Sequence, residues 1–188
     1  MINYIGYHGT DAEHFKTIKK QGFKLRRPND ELPCDLGHGV YMYIDRKEIP
    51  HESAHDNATK YLGRYKPDYK EPIILKLSSK IEDSKVLNLN DLSNQSVFLH
   101  FKKVNLKKIE SKVSTLKENK TLRRGKIDGL VLNLMIDNMK IEVDAIIKDT
   151  YTPFDFEKYR QSNIPNGREM CLRNSDRIES CEISENVW

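Results

Sequence analysis

Hydrophobic and polar residues recur along the chain with two different periods, and the change of period predicts where strands and helices lie. Residues that alternate, or that form short runs rich in Val, Ile and Leu, predict strands. The predicted strands are 2–7, 39–44, 72–77, 85–89, 127–134, 140–148, 168–173 and 177–183. They are distributed from one end of the sequence to the other, so a sheet is expected to bring distant segments together.

Helical periodicity and end signals predict the remaining elements. Asp11 is a good N-cap for a helix that ends at about residue 21, before Gly22. A second helix is expected over 53–65, and two further helices over 91–117. Residues 26–36 and 149–166 contain prolines and many polar residues, which predicts loops. The pattern predicts an α+β fold with strands dominating the second half.

Composition limits the class of protein. The 188 residues are 37% hydrophobic and 32% charged, which fits one domain over 1–188 with a modest core. There is no apolar run of about 18 residues, and the first residues do not have the pattern of a secretory signal, so we expect a cytoplasmic protein without a membrane segment. Three cysteines without metal-ligand spacing favour buried thiols in a reducing compartment.

The positive charge is concentrated in one segment. Residues 101–126 contain ten Lys or Arg and two Glu, which gives +8, whereas the whole chain carries +4. Such a block is often only the solvated face of a helix. The alternative is a docking surface for a phosphate backbone or for an acidic protein.

Three short segments carry residues suited to chemistry. His8-Gly9-Thr10 follows a predicted strand, where Gly9 would let a flat ligand approach the backbone while His8 and Thr10 offer hydrogen bonds. The other explanation is an ordinary strand-to-helix turn with a surface histidine. In 37–43, Tyr41 and Tyr43 share one face of a strand and either stack on a cationic ring or pack in the core.

The third segment begins at Arg168. Alternation predicts that Met170 and Leu172 point inward, and that Glu169 points to the other side together with Cys171 and Arg173. A carboxylate there can bind a sugar hydroxyl and stabilise an oxocarbenium-like charge, as carboxylates do in glycoside chemistry. The alternative is a surface Glu that is paired with neighbouring arginines.

Taken together, these segments resemble the NAD-dependent ADP-ribosyltransferases of the diphtheria-toxin and poly(ADP-ribose)-polymerase branch, with its His-Tyr-Glu triad. His8-Gly9-Thr10 resembles the first family motif, and the stretch from Gly37 to Tyr41 resembles Gly-x-Gly-[Ile/Phe/Val]-Tyr. Arg168-Glu169-Met170-Cys171-Leu172 is similar to Asn-Glu-Tyr-x-Val, and Asp176-Arg177-Ile178 to the Asp-Gln-Ile that follows it. Lys126-Ile127-Asp128-Gly129-Leu130-Val131 is similar to a Tyr-Asp-Gly-Ile strand of bacterial members.

The resemblance implies a split β-sheet core with flanking helices, and it implies roles for individual residues. His8 and Thr10 would contact ribose, Gly9 would bind the carboxamide through its backbone, and Tyr41 would line the nicotinamide pocket. Tyr61 is the candidate for a second nicotinamide-stacking aromatic, and Glu169 would be catalytic. NAD+ would be the co-substrate, and no metal is needed. All of this requires that His8, Tyr41 and Glu169 face a common cleft.

Two departures from the family and two alternatives stay open. Met170 stands where the family has an aromatic, and Gly167 stands where arginine-directed members have Gln or Glu. The expected activity is mono-ADP-ribosylation of a protein, RNA or DNA by a bacterial or phage toxin or defence effector, with an antitoxin or other regulator as a further partner. The alternatives are an NAD+ glycohydrolase and a non-catalytic module that binds nucleic acid or a partner protein.

Overall fold

A computed structural model describes residues 1–25, 31–116, 126–154 and 162–187. These residues form seven strands and five helices. The strands are β1 (Ile2–Asp11), β2 (Val40–Ile44), β3 (Pro72–Ile81), β4 (Val86–Asn88), β5 (Ala145–Thr150), β6 (Gly167–Leu172) and β7 (Ile178–Asn186). The helices are α1 (Ala12–Gln21), α2 (Ala54–Tyr65), α3 (Leu92–Val104), α4 (Leu106–Ser114) and α5 (Lys126–Met139).

The strands form one sheet in the order β4-β5-β6-β2-β1-β3-β7. Only β4 and β5 are parallel to each other, and the other neighbours are antiparallel. A mixed sheet with helices packed on it confirms the α+β class, but the described strands form one sheet and not the split sheet that the resemblance implies. The order also makes β1, β2 and β6 neighbours, although β2 and β6 are more than 120 residues apart in the sequence.

Strand β2 is paired with β6 over more positions than with β1. Strands β2 and β6 pair at five positions, and β1 and β3 pair at ten. In the described part of the chain, β1 and β2 pair only through Gly6 with Ile44 and Tyr7 with Tyr43. The two strands therefore separate beyond Tyr7, and residues 8–11 of β1 are paired with β3 alone.

Most helix ends agree with the end signals in the sequence. The Asp11 carboxylate accepts the N–H of Glu13 at 3.0 Å, and Gly22 ends α1 with a φ of 69°. The Ser53 hydroxyl accepts the N–H of Asp56 at the start of α2. The two-helix prediction for 91–117 is confirmed by α3 and α4, although residue 117 lies outside the described residues.

The prediction of a strand over 127–134 is wrong, because α5 occupies Lys126–Met139. Consequently, the likeness of 126–131 to a Tyr-Asp-Gly-Ile strand does not hold structurally. Helix α5 is buried on most of its sides, and its buried apolar residues are Leu130, Val131, Leu132, Met135 and Ile136. A short apolar run of this kind does not distinguish a buried strand from a buried helix, so packing decided the outcome.

The other differences concern element ends. Lys140, with a φ of 52°, follows α5, and β5 begins only at Ala145, so the strand predicted over 140–148 starts too early. Strand β5 also extends to Thr150, into the predicted loop 149–166. Strands do not dominate the second half, since α3, α4 and α5 occupy much of it. Parts of both predicted loops, 26–30 and 155–161, lie outside the described residues.

The two faces of the sheet carry different cores. The α1 face buries Met42, Ile44, Leu75 and Met170 against Phe15 and other residues of α1. The opposite face, which we call the α2/α5 face, has two clusters. One contains Tyr43 and Ile74 with residues of α2, and the other contains Ile146 and Cys171 with residues of α3, α4 and α5.

Both clusters are built from the strand residues that alternate with the α1 core. Met170 and Leu172 are buried as predicted, but Cys171, expected on an outer side, is also fully buried because helices cover it. The prediction of buried thiols is confirmed for Cys171, while Cys34 is exposed and Cys181 is half-buried.

Candidate active site

Glu169 lies on β6 directly opposite Tyr43 of β2. Residues that are opposite each other in an antiparallel pair project to the same face, and residues two apart share that face. Glu169 therefore shares the α2/α5 face with Tyr41, Tyr43 and Cys171. The carboxylate and the two tyrosines of β2 are on one side of the sheet, as the predicted site requires of Glu169 and Tyr41.

Along β6, Glu169 lies between the two helix groups of this face. A Cβ at Gly167 would lie 2.8 Å from the side-chain amide of Asn57, a residue of α2. Cys171, which follows Glu169 by two residues on β6, packs in the cluster formed with α3, α4 and α5. Glu169 thus occupies the boundary between the two helix groups.

The surroundings of Glu169 disfavour its charged form. Burial raises the pKa of this carboxyl from 4.5 to about 7, and the negative charge of Asp35 acts in the same direction. The hydroxyls of Tyr43 and Thr152 act on this pKa in the opposite direction. A carboxyl group with a pKa close to neutrality can bind and release a proton at physiological pH, which is what a general base requires.

Aromatic rings line one side of this position. The ring centroid of Tyr43 is 6.4 Å from that of Tyr61 on α2 and 6.3 Å from that of Phe154. Tyr61 is in turn 5.0 Å from Tyr65, one helical turn further. Burial raises the pKa of Tyr61 to about 12, so its phenol is neutral at physiological pH. Tyr61, predicted as the second aromatic, is therefore near Tyr43, which faces Glu169.

The segment after β5 packs against the same aromatic rings. The hydroxyls of Tyr43 and Thr152 are 3.2 Å apart, and the Tyr65 hydroxyl donates to the carbonyl of Pro153 at 3.0 Å. Lys60 of α2 lies 5.9 Å from the centre of the Phe154 ring. These contacts join α2 to residues 152–154 around Tyr43 and Glu169.

Tyr41 is tied to the loop that precedes β2. Its hydroxyl accepts the N–H of Leu36 at 2.8 Å and donates to the carbonyl of Gly37 at 2.9 Å. Burial raises the pKa of this phenol well above its ordinary value, so it stays neutral. In this structure the Tyr41 hydroxyl fixes a loop, and Tyr43 is the tyrosine directly opposite the carboxylate.

Helix α5 packs closely against the same loop. Gly37 has a φ of 88°, and a Cβ there would lie 2.5 Å from Oδ1 of Asn133. That oxygen accepts a hydrogen bond from buried Arg173 at 2.6 Å. A Cβ at Gly129 would overlap the carbonyl of Cys34, so the helix approaches the loop as closely as glycine allows. Helix α5 thereby sets the entry to β2.

His8 is anchored across the gap between β1 and β2. Its Nδ1 donates to the carbonyl oxygen of Tyr41 at 2.7 Å, because a carbonyl can only accept. Burial lowers the pKa of this imidazole, although the hydrogen bond to Tyr41 acts in the opposite direction. The neutral ring with its proton on Nδ1 leaves Nε2 as a hydrogen-bond acceptor.

The alternation of β1 places His8 on the other face from Glu169. Gly6 is opposite Ile44, and a Cβ at Gly6 would meet Met42 of the α1 core. His8 is two residues from Gly6, and its ring is 5.7 Å from Phe23, which also packs against that core. The structure therefore brings the strands of His8, Tyr41 and Glu169 together, but the expectation that all three side chains face a common cleft is wrong for His8, whose imidazole lies on the α1 face and bonds the Tyr41 carbonyl.

Gly9 and Thr10 complete the first segment. A Cβ at Gly9 would lie 2.5 Å from Cγ of Leu62, so α2 rests on the glycine, and the close approach predicted for a ligand is made by a helix on that side. Thr10 is buried and lies opposite Ile73 of β3. The backbone groups of Gly9 and Thr10 on the β2 side lie where β1 and β2 have separated.

Sequence reasoning missed the hydroxyls of Thr150 and Thr152 and gave Tyr43 only a shared face with Tyr41. The register of β5, β6 and β2 brings these residues to Glu169. Tyr43 alternates with Tyr41 in the sequence, but no sequence signal tells which of the two is opposite the carboxylate.

A concavity among the described residues lies away from Glu169. A shallow concavity of about 390 Å³ lies at the far end of β6, lined by Leu25, Ile136, Arg173 and Asp176 among others. Among the residues described, no group of three or more His, Cys, Asp or Glu side chains could hold a metal ion. Within the same ranges, none of the helices has the length and apolar character needed to span a membrane.

Comparison of the chain with protein-family models, curated proteins and solved structures gave no match. The resemblance to ADP-ribosyltransferases therefore rests on the three sequence segments alone.

Proposed function

We propose that this protein is a mono-ADP-ribosyltransferase that uses NAD+ and modifies a macromolecular acceptor. The observation that carries the proposal is the position of Glu169. It lies opposite Tyr43, between two helix groups, one strand from Tyr41 and two strands from His8. A carboxylate of raised pKa beside aromatic rings matches what cleavage of a cationic N-glycoside needs.

In this proposal the residues around the gap bind separate parts of NAD+. A positively charged nicotinamide ring is attracted to the faces of aromatic rings, and Tyr43, Tyr61 and Phe154 line this side of Glu169. The Nε2 of His8 is an acceptor suited to a ribose hydroxyl on the other side of the gap. In this proposal the dinucleotide passes between the separating ends of β1 and β2, with nicotinamide on the α2/α5 face.

The proposed reaction is dissociative. The bond between ribose C1′ and the nicotinamide nitrogen breaks, its electron pair stays on that nitrogen, and neutral nicotinamide leaves. Positive charge develops on the ribose, where the Glu169 carboxylate stabilises it. An acceptor nucleophile then forms a bond to C1′ and loses its proton, for which ionised Glu169 is a suitable base.

The charge of NAD+ and the pKa of Glu169 are linked. A cation bound beside a carboxyl group favours its ionised form and lowers its pKa. The nicotinamide ring would therefore favour the carboxylate that the reaction needs. Without ligand, burial keeps much of Glu169 protonated near neutral pH.

The test is incubation of the protein with NAD+ labelled in its adenylate phosphate, together with a cell lysate, followed by separate nuclease and protease digestion. Label in a macromolecule that depends on Glu169 supports transfer, and the digestion identifies protein, RNA or DNA as acceptor. Glu169→Ala should remove the label, while Glu179→Ala, at an exposed position of β7, should keep it.

Two other results would change the assignment. Nicotinamide release without labelled macromolecule would identify an NAD+ glycohydrolase, with water as acceptor. If NAD+ caused neither turnover nor a shift in thermal unfolding, the chain would be a non-catalytic binding module, because a ligand that binds the folded state must stabilise it.

The setting we propose is a cytoplasmic toxin or defence effector of bacterial or phage origin. This part of the proposal rests on the resemblance and on the small single-domain size. An antitoxin or another regulatory protein would be a natural partner. Nucleic acid remains a candidate acceptor because of the positive charge in 101–126, although 117–125 lie outside the described residues.

A further inference from the structure

Thr150 has a buried hydroxyl group that lacks a hydrogen-bond partner. It is the last residue of β5, and its Oγ1 atom is buried without a donor or acceptor in reach among the described residues. Most buried hydroxyls in folded proteins are hydrogen-bonded, because an unpaired one loses its bonds to water and gains none in return. An unpaired hydroxyl therefore needs an explanation, and its position in the sheet suggests one.

The register of β5 and β6 puts Thr150 beside Glu169. Lys148 is directly opposite Glu169, and Thr150, two residues further along β5, is opposite Gly167. Opposite residues share a face of the sheet, and residues two apart in a strand share it too. Thr150 is therefore a diagonal neighbour of Glu169 on the α2/α5 face, at a distance that a long side chain can span.

The residue opposite Thr150 has no side chain, and other groups fill the space above it. A Cβ at Gly167 would lie 2.8 Å from Nδ2 of Asn57 and 3.3 Å from Cε1 of the Tyr43 ring. The Asn57 amide donates to the carbonyl of Asn166 at 3.0 Å. On this side Thr150 thus faces an aromatic ring and an amide that is already bonded. The carboxyl group diagonal to it offers oxygens that accept a hydrogen bond.

The other hydroxyls near Glu169 differ from that of Thr150. Those of Tyr43 and Thr152 are 3.2 Å apart, so each has the other as a partner. Burial raises the pKa of Glu169 to about 7, and the Thr150 hydroxyl is close enough to act on this pKa in the opposite direction. A hydroxyl that favours the ionised form of a carboxyl group does so by donating to it.

We propose that Thr150 is a positioning residue, whose hydroxyl donates a hydrogen bond to the Glu169 carboxylate when that group is ionised. The bond would hold the carboxylate in one orientation at the stage where it stabilises charge on the ribose or accepts a proton. The unpaired hydroxyl would then reduce stability in the protonated state and serve activity in the ionised one. The contact does not depend on a ligand, whereas its part in the reaction rests on the proposed function.

Three variants test the contact. Thr150→Val replaces the hydroxyl by a methyl group of similar size, and Thr150→Ser keeps the hydroxyl. Ser79→Ala is the matched control, because Ser79 also has a buried hydroxyl without a partner among the described residues. Ser79 lies on the α1 face, opposite Tyr4 of β1, and is therefore on the other side of the sheet from Glu169.

The main measurement is the pKa of Glu169 in the protein without NAD+, followed by NMR of ¹³C-labelled glutamate carboxyl groups. Glu169→Gln identifies the resonance. The other charged or titratable groups near this carboxyl are Lys148 on β5, Tyr43 on β2, Tyr61 on α2 and Asp35 in the loop before β2. All four are present in every variant, so a difference between the variants reports the changed residue.

We expect Thr150→Val to raise the pKa of Glu169 by roughly one unit, because the ionised form loses a donor. Thr150→Ser and Ser79→Ala should leave this pKa nearly unchanged. With NAD+, Thr150→Val should lower kcat roughly tenfold and change KM much less, since one hydrogen bond to a charged group is lost. Thr150→Ser should retain most of the activity, and Ser79→Ala should behave like the wild type.

Chemical unfolding separates this role from a structural one. At about pH 5, where Glu169 is mostly protonated, Thr150→Val should be at least as stable as the wild type, because it removes an unpaired buried hydroxyl. As pH rises to about 8 the variant should lose more stability than the wild type, because the pKa of its Glu169 is higher in the folded state. Ser79→Ala should differ from the wild type equally at both pH values.

Different results would overturn different parts of the inference. An unchanged pKa of Glu169 in Thr150→Val would disprove the contact, and an equal rise in Thr150→Ser would show that the hydroxyl is not the cause. A raised pKa together with wild-type kcat in Thr150→Val would disprove the role in the reaction. A wild-type protein that does not turn over NAD+ would contradict the proposed function instead, and the titration would still decide whether Thr150 bonds Glu169.

Discussion

The two sides of β2 differ in how they are built. Toward β6, five residue pairs hold the strands in register and place Glu169 beside Tyr43. Toward β1, two pairs hold the strands together, and a His8 side chain bonded to the Tyr41 carbonyl continues the connection. On the β6 side, the Glu169 carboxylate is mostly buried and lies near hydroxyl groups. On the β1 side, the strands separate, and the neutral His8 imidazole lies at the edge of the gap.

This difference suggests a division of tasks between the two sides. Regular pairing leaves little freedom to the Glu169 side chain, which suits a group that must face a reacting bond. A gap with backbone groups released from pairing suits the binding of an extended polar ligand. Changes on the β6 side should therefore affect chemistry, and changes on the β1 side should affect binding.

Glu169→Gln gives the sharpest test of this division. The amide keeps the size of the side chain but removes the negative charge, so transfer and nicotinamide release should fall at least about 10³-fold. The affinity for NAD+, measured by calorimetry, should change little by comparison. Glu179→Gln is the matched control. A variant that lost NAD+ binding and turnover equally would show that the carboxylate serves binding and not chemistry.

The same substitution should stabilise the protein in a pH-dependent way. The pKa of Glu169 is higher in the folded state than its ordinary value of 4.5, so its stabilising contribution is complete below about 4.5 and is lost as pH rises through about 7. Glu169→Gln should therefore unfold like the wild type near pH 4.5. At pH 8 it should be more stable by roughly 1–3 kcal/mol.

Chemical unfolding of both proteins at the two pH values measures this difference. A constant difference between pH 4.5 and pH 8 would mean that the Glu169 carboxyl has an ordinary pKa in the folded protein. Its use as a base near neutrality would then have no electrostatic support.

His8→Ala tests the β1 side. Loss of the bond to the Tyr41 carbonyl should destabilise the fold by about 1–2 kcal/mol, because a half-buried carbonyl is left without its donor. Loss of the Nε2 acceptor should raise the KM for NAD+ roughly tenfold while kcat changes less. His51→Ala, at an exposed position, is the control. A larger effect on kcat than on KM would assign His8 to the chemical step.

Tyr43→Phe should have the smallest effect. For the wild type, kcat/KM should rise with pH and level off above about 7, as Glu169 loses its proton. The Tyr43 hydroxyl favours the carboxylate, so its removal should move this rise to higher pH by a fraction of a unit and lower activity a few-fold at pH 7. Tyr41→Phe should leave the profile in place and lower stability instead, because its hydroxyl bonds the loop. Identical profiles for wild type and Tyr43→Phe would contradict the contact.

Local signals were sufficient for much of the chain. Asp11, Gly22 and Ser53 cap helices as their side chains or backbone freedom predict, because capping depends on bonds within one turn. The ends of strands 39–44 and 168–173 were predicted to within one residue. Both segments show the alternating or consecutive apolar and β-branched residues that are typical of strands. The segments that contain Tyr41 and Glu169 could thus be assigned to strands without a structure.

Packing decided what those signals left open. The apolar residues of 127–134 fit a buried strand or a buried helix equally well, and the close approach of Gly129 to the loop at Cys34 belongs to the helix. The outer residues of α3 look like core residues in the sequence, yet no other part of the described chain covers them.

The amino-acid sequence alone identifies residues that could do chemistry here, because His8, Tyr41 and Glu169 carry their functional groups wherever they lie. It also determined most of the local structure around them. The folded arrangement of the strands sets the rest: β6 lies beside β2, Tyr43 rather than Tyr41 is opposite Glu169, and His8 bonds the Tyr41 carbonyl from the other face. These are matters of strand order and register, which depend on contacts between residues far apart in the chain, and a shift of one residue would have reversed every face.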